Sequence, residues 1–177
     1  MNMGEFVYNL RIPKERVAIL IGKNGETKKE LEKQTKTRVE VDSKEGDIII
    51  EGDDALGLYV VREVIKAVGR GFNPDIAKQL LKQDFVCEYI NIPDFIKSRN
   101  QYRRVRSRII GTEGKARKTI EKLTNTYICV YGKTVAIIGE SDGVLRAKKA
   151  VEALLKGAPH SHAYYDLEKV KKYKGEI

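Results

Sequence analysis

The sequence predicts an α+β protein made of two tandem copies of one unit, each a three-stranded antiparallel sheet with three helices on one face. Three observations predict it. Ile21-Gly22-Lys23-Asn24-Gly25 recurs as Ile110-Gly111-Thr112-Glu113-Gly114. Extending that match without gaps to Val41 and Val130 gives nine identical positions in twenty-one, more than shared helical composition yields. Both copies read strand, helix, glycine loop, helix, strand, strand, helix.

The elements follow in order. Phe6 to Ile12 is strand-like, with Val7, Asn9 and Arg11 on one face. Pro13 suits a helix start, and Lys14 to Ile21 follows it. Glu26 to Thr35 is built from good helix formers. Arg38 to Asp42 alternates polar and apolar residues, as a half-buried strand does. Lys44 to Asp47 is a turn, and Ile48-Ile49-Ile50 is a β-branched strand. Asp53 or Asp54 caps a helix that runs to about Val68, and Gly69 and Gly71 end it. Asn73-Pro74-Asp75 opens a connecting helix to about Lys82.

In the second copy Phe85 to Ile92 is the first strand. Pro93 to Gln101 reads as a loop, because it mixes Pro, Ser, Asn and charge without a period. Arg103 to Ile110 and Lys115 to Asn125 flank the glycine loop. Tyr127 to Tyr131 and Thr134 to Ile138 are strands around Gly132-Lys133, and Asp142 to Lys156 closes the unit. The expected domains are 5–72 and 84–157, with a linker helix at 73–83 and a C-terminal tail at 158–177.

Composition narrows the function. Hydrophobic residues make up 41% and charged residues 33% of 177, which is globular rather than disordered. No apolar run spans a membrane, and the N-terminus does not read as a signal peptide. The net charge of +9 suits a polyanionic partner. Cys87 and Cys129 form no C-x-x-C and have too few ligand-type neighbours for zinc; they read as reduced, mostly buried thiols of a cytoplasmic protein. His160 and His162 read as packing or hydrogen-bonding residues. No metal or cofactor is expected.

The glycine loops carry the chemistry. Glycine lets one backbone approach another closely and takes positive φ. The helices beginning at Glu26 and Lys115 present unpaired N–H groups and the positive end of a dipole, where an anion fits. One Gly-x-x-Gly means little; two between helices, each after an apolar pair (Leu20-Ile21, Ile109-Ile110), are specific. The expected RNA-contacting set in the first copy is Ile21, Gly22, Lys23, Asn24, Gly25, Lys28 and Lys29. In the second it is Arg103, Arg104, Arg106, Arg108, Ile110, Gly111, Thr112, Glu113, Gly114, Lys115, Arg117 and Lys118. Arg103, Arg106 and Ile110 share one helical face, and Arg104 and Arg108 another. Tyr102 lies among them as a candidate for stacking on a base. Ile21, Leu31, Ile110 and Ile120 line groove floor or core, with core favoured for Leu31 and Ile120. Glu113 places a negative charge where a phosphate would lie, either pointing away or weakening that loop. Eight cations surround the second loop, which is therefore expected to make the main contact.

No Walker A motif, G-x-G-x-x-G or metal cluster points to catalysis; Asp53-Asp54 reads as a helix cap. The chain is not expected to be an enzyme.

The repeated strand, helix, Gly-x-x-Gly, helix, strand, strand, helix order resembles the KH family of the eukaryotic-type order, whose loop clamps about four nucleotides of single strand. Narrower stretches resemble the archaeal two-KH ribosome-assembly factors, relatives of the eukaryotic partner of the Nob endonuclease. These are Ile12-Pro13-Lys14-Glu15-Arg16-Val17, Val68-Gly69-Arg70-Gly71-Phe72, Arg108-Ile109-Ile110-Gly111, Val130 to Gly139, and Gly157 to Tyr164 with Leu167-Glu168. The resemblance implies single-stranded RNA as partner, near the 3′ end of small-subunit ribosomal RNA. It also implies a Nob-type endonuclease and the α subunit of translation initiation factor 2 as protein partners, and no membrane. The runner-up is a KH regulator of messenger RNA or a component of an RNA-degradation complex.

Overall fold

A computed structural model describes residues 5–173; the first four residues and the last four, which end the expected 158–177 segment, lie outside the described residues. The chain divides into two compact units, at 1–83 and 84–177.

In the first unit β1 (Phe6–Arg11), α1 (Lys14–Ile21), α2 (Glu26–Thr35), β2 (Thr37–Val41), β3 (Asp47–Gly52) and α3 (Ala55–Gly69) follow the predicted order. The sheet order is β1-β3-β2, antiparallel throughout, with Tyr8 and Val39 both opposite Ile50. Asp54 accepts hydrogen bonds from the Leu56 and Gly57 amides, which resolves the choice of helix cap. Leu20, Leu31, Ile48, Ile50, Val61 and Ile65 are the buried core. Beyond α3, Asn73 caps a single α-helical turn, α4 (Pro74–Ala77), and a 3-10 turn covers Lys78–Leu81. The connecting helix is thus shorter and tighter than expected, held by buried Ala77 and Leu80 and by the Lys78–Glu30 ion pair at 2.7 Å.

The second unit repeats the plan with β4 (Phe85–Asn91), α5 (Arg99–Ile110), α6 (Lys115–Thr124), β5 (Thr126–Tyr131), β6 (Thr134–Glu140) and α7 (Ser141–Leu155), in sheet order β4-β6-β5. Ile109, Ile120 and Ile137 are buried where Leu20, Leu31 and Ile50 are in the first unit. Leu31 and Ile120 are therefore core.

One reading is corrected. Pro93 to Gln101 is not a loop: Ile92–Phe95 is a 3-10 turn and α5 begins at Arg99. Pro93 is tolerated in the first turn because its missing N–H has no helical partner there. The Gln101 side chain accepts from the Lys97 amide at 2.9 Å, a back-reach to the chain entering the helix that fixes its start. The C-terminal tail, to which the sequence assigns no element, is helical. It forms α8 (His160–Tyr173), which buries Ala163 and Leu167, one helical turn apart, against the second core. The two cysteines form no disulfide and are half-buried, more exposed than expected.

Candidate nucleic-acid interface

The two glycine loops share one backbone. In each, the first glycine ends the preceding helix by donating its amide four residues back, Gly22 to Ala18 and Gly111 to Ser107. A single 3-10 turn follows, over Lys23–Gly25 and Thr112–Gly114, and the next helix starts at Glu26 or Lys115. No side chain caps α2 or α6. Their first amides, those of Glu26 and Lys115, donate to the Lys23 and Thr112 carbonyls within the 3-10 turn, so an anion at the loop meets the positive end of the helix dipole rather than these two groups.

The glycines in each loop do different work. All four have φ between 74° and 76°. A Cβ on Gly22 would stand 2.3 Å from Thr27 Oγ1, and one on Gly111 would stand 2.6 Å from the Ala116 amide nitrogen. These first glycines let the second helix press against the loop. Beside Gly25 and Gly114 the nearest atoms are Lys29 Cε at 3.7 Å and Lys118 Cε at 3.8 Å. The second glycines thus have room, and a lysine lies back over each, bringing its ammonium to the loop.

Charge separates the loops. Lys23, Asn24 and Lys29 are exposed in the first, as are Thr112, Glu113, Lys115 and Lys118 in the second. Asn24 and Glu113 occupy the same left-handed conformation, at φ 52° and 53°. Asparagine accepts it readily; glutamate holds it at a cost. Glu113 is 80% exposed, with Lys115 4.0 Å away and itself exposed, so it points into solvent and is weakly neutralised. The first loop has its own acid in Glu26, at the N-terminus of α2. Sequence reasoning missed it, though its position directly after Gly25 was visible.

The remaining expected residues divide. Lys28 and Arg117 sit at equivalent positions and are half-buried, paired with Glu32 at 3.0 Å and Glu121 at 3.8 Å. Those glutamates accept the Val39 and Ile128 amides, both at 2.7 Å, tying helix to strand. Ile21 and Ile110 are half-buried beside the loops. Arg103, Arg104 and Arg106 are exposed on α5. Arg108 is half-buried and donates to the Ala158 carbonyl at 2.5 Å, while His160 Nε2 lies 2.9 Å from the Arg108 carbonyl oxygen. That side chain holds the α7–α8 junction. Tyr102 packs on the core and donates its hydroxyl to the Gly132 carbonyl. Among the described residues no group of His, Cys, Asp or Glu could hold a metal, and no helix is long and apolar enough to cross a membrane.

Comparison with known proteins turns this geometry into a family. The KH domain model matches residues 7–67, and the eukaryotic type KH-domain (KH-domain type I), in the form of the second domain of PNO1-type proteins, matches 86–172. A KH domain-containing protein of Methanocaldococcus jannaschii is 46% identical over 90% of this chain and 72% of its own length. The chain belongs to the archaeal two-KH family. The family resemblance read from the motifs is thereby borne out, and the second KH match runs through α8 rather than ending before it.

Solved structures agree in fold. Dim2p from Pyrococcus horikoshii OT3 superposes with a TM-score of 0.87 at 43% identity, over 93% of this chain and 99% of that one. A structure of an a/eIF2α–aDim2p–rRNA complex from the same organism gives 0.88 at 43% identity, over 94% of each chain. A protein of unknown function from Aeropyrum pernix gives 0.88 at 34% identity, over 96% of this chain and 93% of that one.

Proposed function

We propose that this KH protein binds single-stranded RNA near the 3′ end of small-subunit ribosomal RNA and acts in small-subunit assembly and rRNA maturation, without catalysing a reaction. The observation that carries it is the pair of intact glycine loops, each joining two helices with an uncapped N-terminus. The positive end of each helix dipole suits a phosphate, and a strand clamped there presents its bases to the adjoining groove. The structural likeness to aDim2p, solved with a/eIF2α and rRNA, supports both the RNA and the α subunit of initiation factor 2 as partners.

Residues 5–72 and 84–157 are the two RNA-handling domains in this reading, 73–83 joins them, and 158–177 secures the second. The contacting residues are Ile21 to Gly25, Lys28 and Lys29 in the first domain. In the second they are Arg103, Arg104, Arg106, Ile110 to Lys115, Arg117 and Lys118, with Arg108 holding the helix before the loop. A Nob-type endonuclease supplies the cleavage that this chain does not, in a cytoplasmic precursor.

Crosslinking to total cellular RNA with the sites mapped tests the proposal. Sites clustered at the 3′ end of small-subunit rRNA are expected. Sites scattered over messengers would replace it with the regulator reading. Turnover of RNA by the purified chain with divalent metal would overturn the non-enzymatic part.

A further inference from the structure

The first unit has a basic cleft that its glycine loop does not use. It lies between β1 and α3, has a volume of about 590 Å³, and its lining includes Tyr8, Arg11, Arg62, Lys66 and Arg70 but no carboxylate. Arg11 is engaged from outside the cleft by both oxygens of Asp47, and Lys66 and Arg70 are its other exposed cations. No residue of the loop, α2 or β2 lines it. Its strand, β1, is the sheet edge opposite β2, about 10 Å away across the sheet. The cleft is therefore separate from the groove beside the loop.

Sequence spacing builds it. Tyr59, Arg62, Lys66 and Arg70 follow one another by three, four and four residues, which puts them on one face of α3 and its C-cap. The Arg62 guanidinium carbon is 4.9 Å from the Tyr8 ring centroid and 4.7 Å from the Tyr59 centroid. Two rings and a hydrogen bond from Arg62 Nη2 to Glu63 at 2.8 Å hold that guanidinium. Its Nε and Nη2 both donate to Glu63, so a phosphate there would meet the remaining N–H groups of a guanidinium that is already ordered. Lys66 and Arg70 are exposed, and Tyr59 is 53% exposed.

The second unit shows that the fold does not require this charge. Gly57 and Gly143 both face the carbonyl of the threonine that ends the preceding helix, Thr35 or Thr124, which sets the register between α3 and α7. In that register Tyr59, Arg62, Lys66 and Arg70 become Leu145, Lys148, Glu152 and Lys156. Tyr8 becomes Glu88, since both stand opposite corresponding isoleucines, Ile50 and Ile137. Lys148 pairs with Glu88 at 2.8 Å, and that hydrogen bond raises the lysine pKa. Both positions are ion-paired, Arg62 with Glu63 and Lys148 with Glu88, but only the first is stacked between rings, and the exposed Lys66 of the first unit is Glu152 in the second.

We infer that the β1–α3 cleft of the first unit is a second RNA contact, taking a backbone phosphodiester on Arg62, Lys66 and Arg70 with a neighbouring base against Tyr59. This rests on the RNA-binding reading and extends it to a longer footprint. Aromatic faces beside cations favour a nucleic acid over an acidic peptide.

The test compares two single-stranded RNAs on the full chain: one of about 5 nucleotides, enough for a single loop groove, and one of about 25 that can also reach the cleft. Lys66→Glu with Arg70→Glu is expected to weaken the long RNA about tenfold. It should also reduce the slope of log affinity against log salt by roughly 1.4, as two lost single-strand phosphate contacts require. Affinity for the short RNA should not change. A loop variant, Gly25→Asp with Gly114→Asp, should weaken both RNAs. If the charge reversal disturbs melting, Lys66→Gln with Arg70→Gln and, separately, Tyr59→Ala replace it. Unchanged affinity for the long RNA overturns the inference, as does an equal loss for both RNAs. Loss of poly-glutamate binding with RNA binding intact assigns the cleft to a protein partner instead. Failure of the wild-type chain to bind either RNA removes the functional reading itself.

Discussion

In the first KH unit the left-handed position of the glycine loop holds Asn24; in the second it holds Glu113. The backbones match within a few degrees, so the difference lies in chemistry alone. Asparagine fits the conformation and carries no charge. Glutamate is strained there and repels a phosphate. Around them the balance reverses. The first loop has Lys23 and Lys29 against Glu26. The second has Arg103, Arg104, Arg106, Lys115 and Lys118 exposed against Glu113. Arg108 and Arg117, counted among its cations from the sequence, are engaged with Ala158 and Glu121. The second loop keeps the denser field even after that subtraction. One repeat has the easier loop and the other the stronger surroundings, so loop composition alone does not rank two copies of a motif.

The comparison can be broken from its largest effect downward. Gly111→Ala brings a Cβ to 2.6 Å from backbone. It should cost about 3 kcal/mol or more, read as a fall in melting temperature. Gly22→Ala meets Thr27 Oγ1, which can rotate away, but also its Cβ at 2.8 Å and its backbone nitrogen at 3.0 Å, which cannot, and should cost somewhat less; equal losses would show that the two first glycines are equivalent. Replacing Arg103, Arg104 and Arg106 by serine should weaken RNA binding by about 30-fold and flatten its salt dependence. Serine at Lys23 and Lys29 should cost about threefold by the same electrostatic term. Glu113→Asn should raise the melting midpoint, a gain of about 1 kcal/mol from relieved strain, and tighten RNA binding several-fold. Asn24→Glu should do the reverse in the first unit. His160→Ala removes one hydrogen bond to the end of α5 and should cost about 1 kcal/mol in chemical denaturation.

Much of this was readable from sequence because the repeat exposed it. A chain that aligns with itself reports which residues each copy needs, and Lys14–Ile21 and Glu26–Thr35 were read to the residue. The misreadings have local causes. The Ile92–Phe95 turn and the first turn of α5 have no counterpart in the first copy, so nothing internal marked them. Ser98-x-x-Gln101 has the spacing of a capping box, hidden among charged residues, although Ser98 makes no capping hydrogen bond and Gln101 reaches the Lys97 amide instead. In α8 the Ala163 and Leu167 spacing was present but short. The Arg62 cleft joins residues more than fifty positions apart, Tyr8 and Arg62, and no local pattern reveals such a meeting. Engagement is equally invisible: Arg104 and Arg108 lie one turn apart, and only the fold shows that Arg108 is held by Ala158.

The central claim is that the second KH unit makes the main RNA contact. It is tested most directly by single substitutions at the glycines that have room for a side chain. Gly25→Asp and Gly114→Asp each place a carboxylate at the phosphate site without the clash found at Gly22 and Gly111. RNA affinity of the full chain should fall about tenfold more for Gly114→Asp than for Gly25→Asp, a difference of roughly 1.4 kcal/mol. A larger loss for Gly25→Asp would contradict the account and assign the main contact to the first unit.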